Sequence, residues 1–374
     1  MHTLDEDGLP QGKDAVPRRN AAQSSGPPRF RARGPVSDAL LTALARPASE
    51  AAVLLKGLTG AVADALAATR DIVRDDDLQL ALFVLYGLHY GGAVDADDGW
   101  EWHPTLVAVR LDIERAFEAA LRDRVEVPPL PRPERETVAA ALFELTKPEP
   151  GPSLSRYAAK LATDDQLREL VVQRSIYTLK EADPHSWAIP RLHGRAKAAL
   201  VEIQADEYGG GRPERVHAVI FAGTMRALGL DDTYGGYVDQ VPAVTLASFN
   251  MMSMFGINRR LRGAITGHLA AFEMTSSIPN RFYGNGFRRL GYGTDVTWYF
   301  DEHVEADAVH EQIAGRDLAG ALAEDCPHLL GDIMFGAAAC LAVDGWVAEH
   351  QLEAWSAGRS SLRMPLAATA QTSP

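Results

Sequence analysis

The sequence predicts an all-α protein. Three observations carry that reading: apolar residues recur at helical spacing through most of the chain, no alternating apolar and polar stretch is long enough to make a strand, and Pro- and Gly-rich breaks separate the periodic segments. No internal repeat in the ~20–50 residue range is visible, which argues against a solenoid. Residues 1–36 are rich in Pro, Arg, Gly and Ser without apolar periodicity and are expected to be a disordered tail, and 358–374 read the same way. Between the tails, Ser37 and Asp38 can cap a helix to about Ala45, and an Ala- and Leu-rich helix follows over 47–73. A third is expected over 76–88, then an acidic loop over 93–104 containing two Trp, then an amphipathic helix over 106–124.

A Pro-rich break at 127–134 precedes a helix over 135–146, and a second break at 147–153 makes the best domain boundary. The expected organisation is therefore an N-terminal helical region, 37–150, and a core, 151–357. Within the core, helices are expected over 164–182, 191–208, 213–229, 238–256, 258–276, 294–311 and 325–353.

The chain has 374 residues, with 37 Lys and Arg against 50 Asp and Glu, a net charge of −13. That balance argues against a nucleic-acid or anionic membrane surface, both of which need local positive charge. The only cysteines are Cys326 and Cys340, so a disulfide framework, a four-cysteine zinc site and a cysteine-held iron–sulfur cluster are excluded. A metal here must be held by nitrogen and oxygen. The first residues are acidic and lack the apolar run of a signal peptide, and the longest apolar stretch, 333–343, is too short to span a bilayer. A soluble cytoplasmic protein is expected.

The chemistry concentrates in two segments. On a helix, His303, Asp307 and His310 fall at about 0°, 40° and −20° around the axis, one narrow stripe able to feed one or two metal ions. Glu214 and His217 are spaced i, i+3 on an expected helix that starts with Pro213, and Glu-x-x-His is the unit used by di-iron carboxylate bundles. Asp307-x-x-His310 repeats it with Asp for Glu. Glu207, ending the preceding helix, adds a further acid, and Glu181 is the candidate for a carboxylate from another helix.

With those residues in place, the chain resembles the haem-oxygenase-like di-iron oxidases, the iron-containing redox enzyme family. Its ligand pattern of Glu, Glu, Glu-x-x-His and His-x-x-x-Asp-x-x-His is matched by Glu181, Glu207, Glu214 with His217, and His303 with Asp307 and His310, and the resemblance covers about 150–357. It implies a haem-oxygenase-like bundle binding two irons, Fe(II) in the oxygen-reactive state, and no haem. It also implies dioxygen as co-substrate, with N-oxygenation, C–C cleavage or desaturation of a small amine, amino acid or fatty-acid-like molecule. An external electron donor and a homodimer, with 37–150 serving dimerisation, belong to the same expectation. The four carboxylates would balance two Fe(II), and oxygen and nitrogen donors suit iron. His217 with Glu181 could hold one ion and His303 with Asp307 the other. The competing readings are a true haem oxygenase and a ferritin-like iron-storage protein.

Phe221 and Met225 share the face of His217, and Met251, Met252, Met254 and Phe255 form an apolar cluster. Phe221, Met225, Met251 and Phe255 are candidates to line a substrate pocket, with core packing as the alternative. His185 is expected to support Glu181 or pack in a connector, and His268 to be a core residue. The Arg- and aromatic-rich 280–289 is expected to pair with surface acids, with a substrate carboxylate on Arg281, Arg288 or Arg289 as the alternative.

Overall fold

The computed structural model describes residues 30–50, 52–148 and 150–366; the outer parts of both expected tails, 1–29 and 367–374, lie outside the described residues. The described residues form helices and turns, with no strand among them. In chain order the helices are α1 (Pro35–Leu44), α2 (Ala52–Ala68), α3 (Asp76–Gly87), α4 (Pro104–Arg124), α5 (Arg135–Leu145), α6 (Leu154–Lys160) and α7 (Asp164–Thr178). They continue as α8 (Asp183–Ser186), α9 (Gly194–Glu207), α10 (His217–Ala227), α11 (Ala243–Ile257), α12 (Arg262–Arg289) and α13 (Thr294–Gln312). A π-helical segment, Ile313–Gly320, then leads into α14 (Ala321–Asp325) and α15 (Leu330–Ser356).

Local chemistry explains the boundaries. Asp75 caps α3, its carboxylate accepting from the amides of Asp77 and Leu78 at 3.1 and 3.0 Å. Thr163 and Gln166 cap α7 reciprocally. The largest departure from expectation is α12, which runs through Pro279 to Arg289 although the helix expected there ends at 276. Packing overrides propensity there: a Cβ on Gly286 would sit 2.6 Å from the Ala158 carbonyl oxygen, so the glycine is what lets α6 lie against α12. The same device brings α12 and α15 together, since a Cβ on Gly267 would overlap the Ile333 carbonyl and one on Gly336 that of Ala264.

The two expected regions share a core. One hydrophobic cluster runs from Phe30 and Leu40 through Phe83 and Phe117 to Phe249, Ile333 and Leu362. A smaller one gathers Leu167, Phe221, Phe287, Tyr299 and Phe300. The inner parts of both expected tails are packed rather than loose. Arg33 bonds Asp76 and the Val241 carbonyl, each at 3.0 Å, and Phe30 meets Phe83 edge-on at 5.9 Å. At the other end, Ser361 donates through its amide and hydroxyl to Glu169 at 2.8 and 2.7 Å. Composition misses both because a few buried residues, Phe30 and Val36 at one end and Ser361 and Leu362 at the other, anchor otherwise polar stretches. Among the described residues, Pro327–Ser356 is long and apolar enough to cross a membrane, but 56% of its most apolar window is buried inside the protein, as in a central core helix.

Candidate metal centre

Two groups of buried acids and histidines lie side by side. In the first, one donor atom each from Glu181, Glu207, His217 and His303 lies within 4.8 Å of the others; in the second, Glu207, Glu273 and His310 meet the same condition. Glu207 belongs to both. All six are buried.

Each side chain is delivered by a local feature. Glu181 follows the end of α7 and precedes Ala182, the only non-glycine residue with positive φ (72°) among the described residues. That strained turn is held by Gln204, whose amide donates to the Ala182 carbonyl at 2.8 Å, tying Glu181 to the helix that carries Glu207. Glu207 is the last residue of α9, and His217 the first of α10. His303 and His310 sit two turns apart on α13, as the stripe predicts, and both face inward. Asp307 lies between them on α13, with its side chain outside the described residues.

The imidazoles are oriented in a way that suits ligation. His303 Nδ1 donates to the Tyr299 carbonyl at 2.8 Å, which leaves Nε2 facing Glu181 at 3.4 Å. His310 Nε2 meets Asp206 at 3.1 Å, leaving Nδ1 facing Glu273 at 3.4 Å and Glu207 at 3.9 Å. His217 Nδ1 lies 2.8 Å from Glu207. The buried Nδ1 atoms of His217 and His310 have carboxylates beside them yet no hydrogen bond of acceptable geometry. Three buried carboxylates, with no Lys or Arg ion pair among the described residues, surround them. This all-oxygen-and-nitrogen set fits iron.

The electrostatics follow the same grouping. Burial pushes the Glu181 carboxyl up, but His303, His217 and the Tyr299 hydroxyl outweigh it and leave it below the usual range. Burial raises Glu273, only partly offset by His310. Burial opposes the charged form of His310, yet Glu273 and Asp206 lift it to about 9.

The structure gathers Glu181, Glu207, His217, His303 and His310. Glu214 it does not: Pro213–Arg215 is a separate 3-10 turn, Val216 is extended, and α10 begins only at His217. Glu214 is therefore not on a helical face with His217, and its side chain is exposed. Glu273, on α12, is a buried acid beside Glu207 and His310 that the sequence reading does not single out. Its one sequence signal is a lone carboxylate on the otherwise apolar face of Ile265, Leu269 and Phe272. Of the other histidines, His185 pairs with His268 at 3.1 Å rather than with Glu181, and burial lowers both, to about 3 for His185.

A cavity of about 990 Å³ opens beside the acids, bordered by Glu181 and His303 and lined mainly by α7, α11, α12 and α15. The pocket residues expected from sequence do not border it. Phe221 and Met225 are packed in the smaller core cluster, Phe221 against Tyr299 at 4.9 Å, and Met251 and Phe255 in the larger one. On α11 it is the neighbouring Phe249 and Met252 that turn toward the cavity.

Residues 168–345, which hold every residue of the two acid–histidine groups, match the iron-containing redox enzyme family. This part of the chain is similar to that family of iron oxidoreductases. It has the haem-oxygenase-like all-α fold. The chain is also similar to a nitrosourea synthase from Streptomyces achromogenes subsp. streptozoticus, 26% identical over 157 residues, which is 42% of this chain and 33% of that protein. The chain thus matches about a third of that relative's length. Among solved structures, a CADD-like protein of unknown function from Nostoc punctiforme PCC 73102 aligns with TM-score 0.46 and 17% identity, covering 58% of this chain and 97% of that one.

Proposed function

We propose that this protein is a non-haem di-iron oxygenase or oxidase that uses dioxygen to oxidise a small molecule held in the cavity beside Glu181 and His303. The observation that carries the reading is the shared acid. Glu207 stands in both groups, where a carboxylate bridging two ions would stand. Glu181, His217 and His303 would hold one iron and Glu273 and His310 the other. Ferrous ions there would supply the electrons that reduce dioxygen.

The chain's own residues do the rest. Tyr299 and Asp206 fix the ring orientation of His303 and His310. The aromatic and apolar walls of the cavity, Phe249, Met252 and Phe272 among them, limit water at the oxidised carbon or nitrogen. The relative's name supports one outcome over the other two: a nitrosourea contains an oxidised nitrogen, which favours oxidation at nitrogen. The reductant and the second subunit, if used, come from outside the chain. The test is anaerobic Fe(II) loading of the full chain, with iron counted and dioxygen uptake followed. Two irons per chain and oxygen consumption are expected; a Soret band with stoichiometric haem overturns the reading.

A further inference from the structure

The cavity beside the acids contains two opposite charges that form no ion pair among the described residues. Arg174, on α7, holds its guanidinium over Tyr283 and Tyr299, 5.6 and 6.0 Å from the ring centres. The guanidinium reaches the Tyr299 hydroxyl and feels the field of Glu181, but its Nε is buried without a hydrogen-bond partner, and among the described residues no carboxylate forms an ion pair with it. Asp344, on α15, accepts from the Ser248 hydroxyl at 3.2 Å and also forms no ion pair among the described residues. Both side chains line the cavity.

Buried charge is costly unless it is paired, and an Arg and an Asp at hydrogen-bond distance would have neutralised each other. Here they sense each other's field without touching. Two further polar atoms point the same way: Asn280 Oδ1 and Gln351 Oε1 lack partners in residues only 2% and 3% exposed, and both residues line the cavity. A wall with one cation and one anion outside any ion pair, and two unsatisfied acceptors, is complementary to a ligand that brings both charges. Burial holds the Asp344 carboxyl up to about 6, so it is ionised at neutral pH and able to receive a cationic nitrogen.

The geometry points to an amino-acid-like zwitterion as the cavity's ligand, its carboxylate on Arg174 and its cationic nitrogen on Asp344. A plain fatty acid would leave Asp344 unpaired, and a simple amine would leave Arg174 unpaired. The assignment rests on the oxygenase reading only for what happens to the ligand afterwards, since Glu181 and His303 border the same cavity.

The test is calorimetric titration of the iron-loaded, anaerobic full chain with the standard L-amino acids. The tightest binder is then compared with its decarboxylated amine and its deaminated acid. Each truncated analogue should bind about ten-fold or more weakly, as expected for losing one charged hydrogen bond in a buried site. R174Q should bring the amino acid down to the amine, and D344N should bring it down to the acid. The inference falls if no amino acid binds, if either analogue binds as tightly as its parent, or if R174Q loses iron while keeping the preference for a carboxylate. The ligand series on the unmodified chain stands even if a variant misfolds. Iron counted in the same samples separates the failures: normal iron without zwitterion preference sinks this inference alone, and missing iron sinks the di-iron reading.

Discussion

The Tyr299 hydroxyl lies 2.8 and 3.1 Å from the two carboxylate oxygens of Glu181, while the Tyr299 carbonyl accepts from His303 Nδ1 at 2.8 Å. One residue thus orients two candidate ligands, and its ring packs on Phe221 at 4.9 Å. Tyr299→Phe keeps the packing and the carbonyl but frees Glu181. Iron affinity, measured by anaerobic Fe(II) titration, should fall about 10–100-fold with the thermal transition nearly unchanged. Unchanged affinity would show that Glu181 needs no such support.

Glu273 and Glu214 make a paired test. Glu273→Gln should lower bound iron toward one per chain, because the group around His310 loses a buried carboxylate. Glu214→Gln should leave iron content unaltered, because that side chain is exposed on the turn before α10. Elemental analysis of the reconstituted variants decides, and the reverse pattern would restore the arrangement expected from sequence.

The α12–α15 crossing is a stability prediction. Gly336→Ala forces a methyl into the Ala264 carbonyl, and overpacking of that kind costs about 1–3 kcal/mol. Urea unfolding of Gly336→Ala beside Gly331→Ala, where a Cβ meets nothing within 4 Å, should destabilise only the first.

Asp344 gives a pH dependence with a defined sign. Its carboxyl is raised from 3.8 to about 6 by burial, so the folded state binds the proton more tightly than the unfolded one. The stability cost of its charge is therefore present above about pH 6 and is relieved as pH falls from 6 toward 3.8. Asp344→Asn should be more stable than the parent at pH 7.5, on the order of 1–3 kcal/mol, with the gap closing toward pH 5. A gap independent of pH would mean that Asp344 does not titrate in this range.

Much of the fold is legible in the sequence because amphipathic helices carry their burial pattern with them. Most helices expected downstream of residue 150 are present with ends shifted by a few residues, and His303 and His310 both face inward from α13. What escapes is set by tertiary contact. The extension of α12 past Pro279 depends on Gly286 meeting α6, which spacing on a single helix does not reveal. The i, i+3 relation expected of Glu214 and His217 needs both on one helix, and α10 begins only at His217. On α12 alone Glu273 is a lone acid among apolar residues, and only the approach of Glu207 and His310 gives it a place in the site. The open wall of the cavity depends on which face of α11 is turned inward, a one-residue difference between Met251 and Met252.

The central claim, two ions sharing Glu207, is tested most directly by iron stoichiometry in the parent chain and in Glu207→Ala after anaerobic Fe(II) loading and desalting. The account predicts about two irons per chain in the parent and loss from both positions in the variant. One iron or fewer in the parent, or two retained without Glu207, would contradict it.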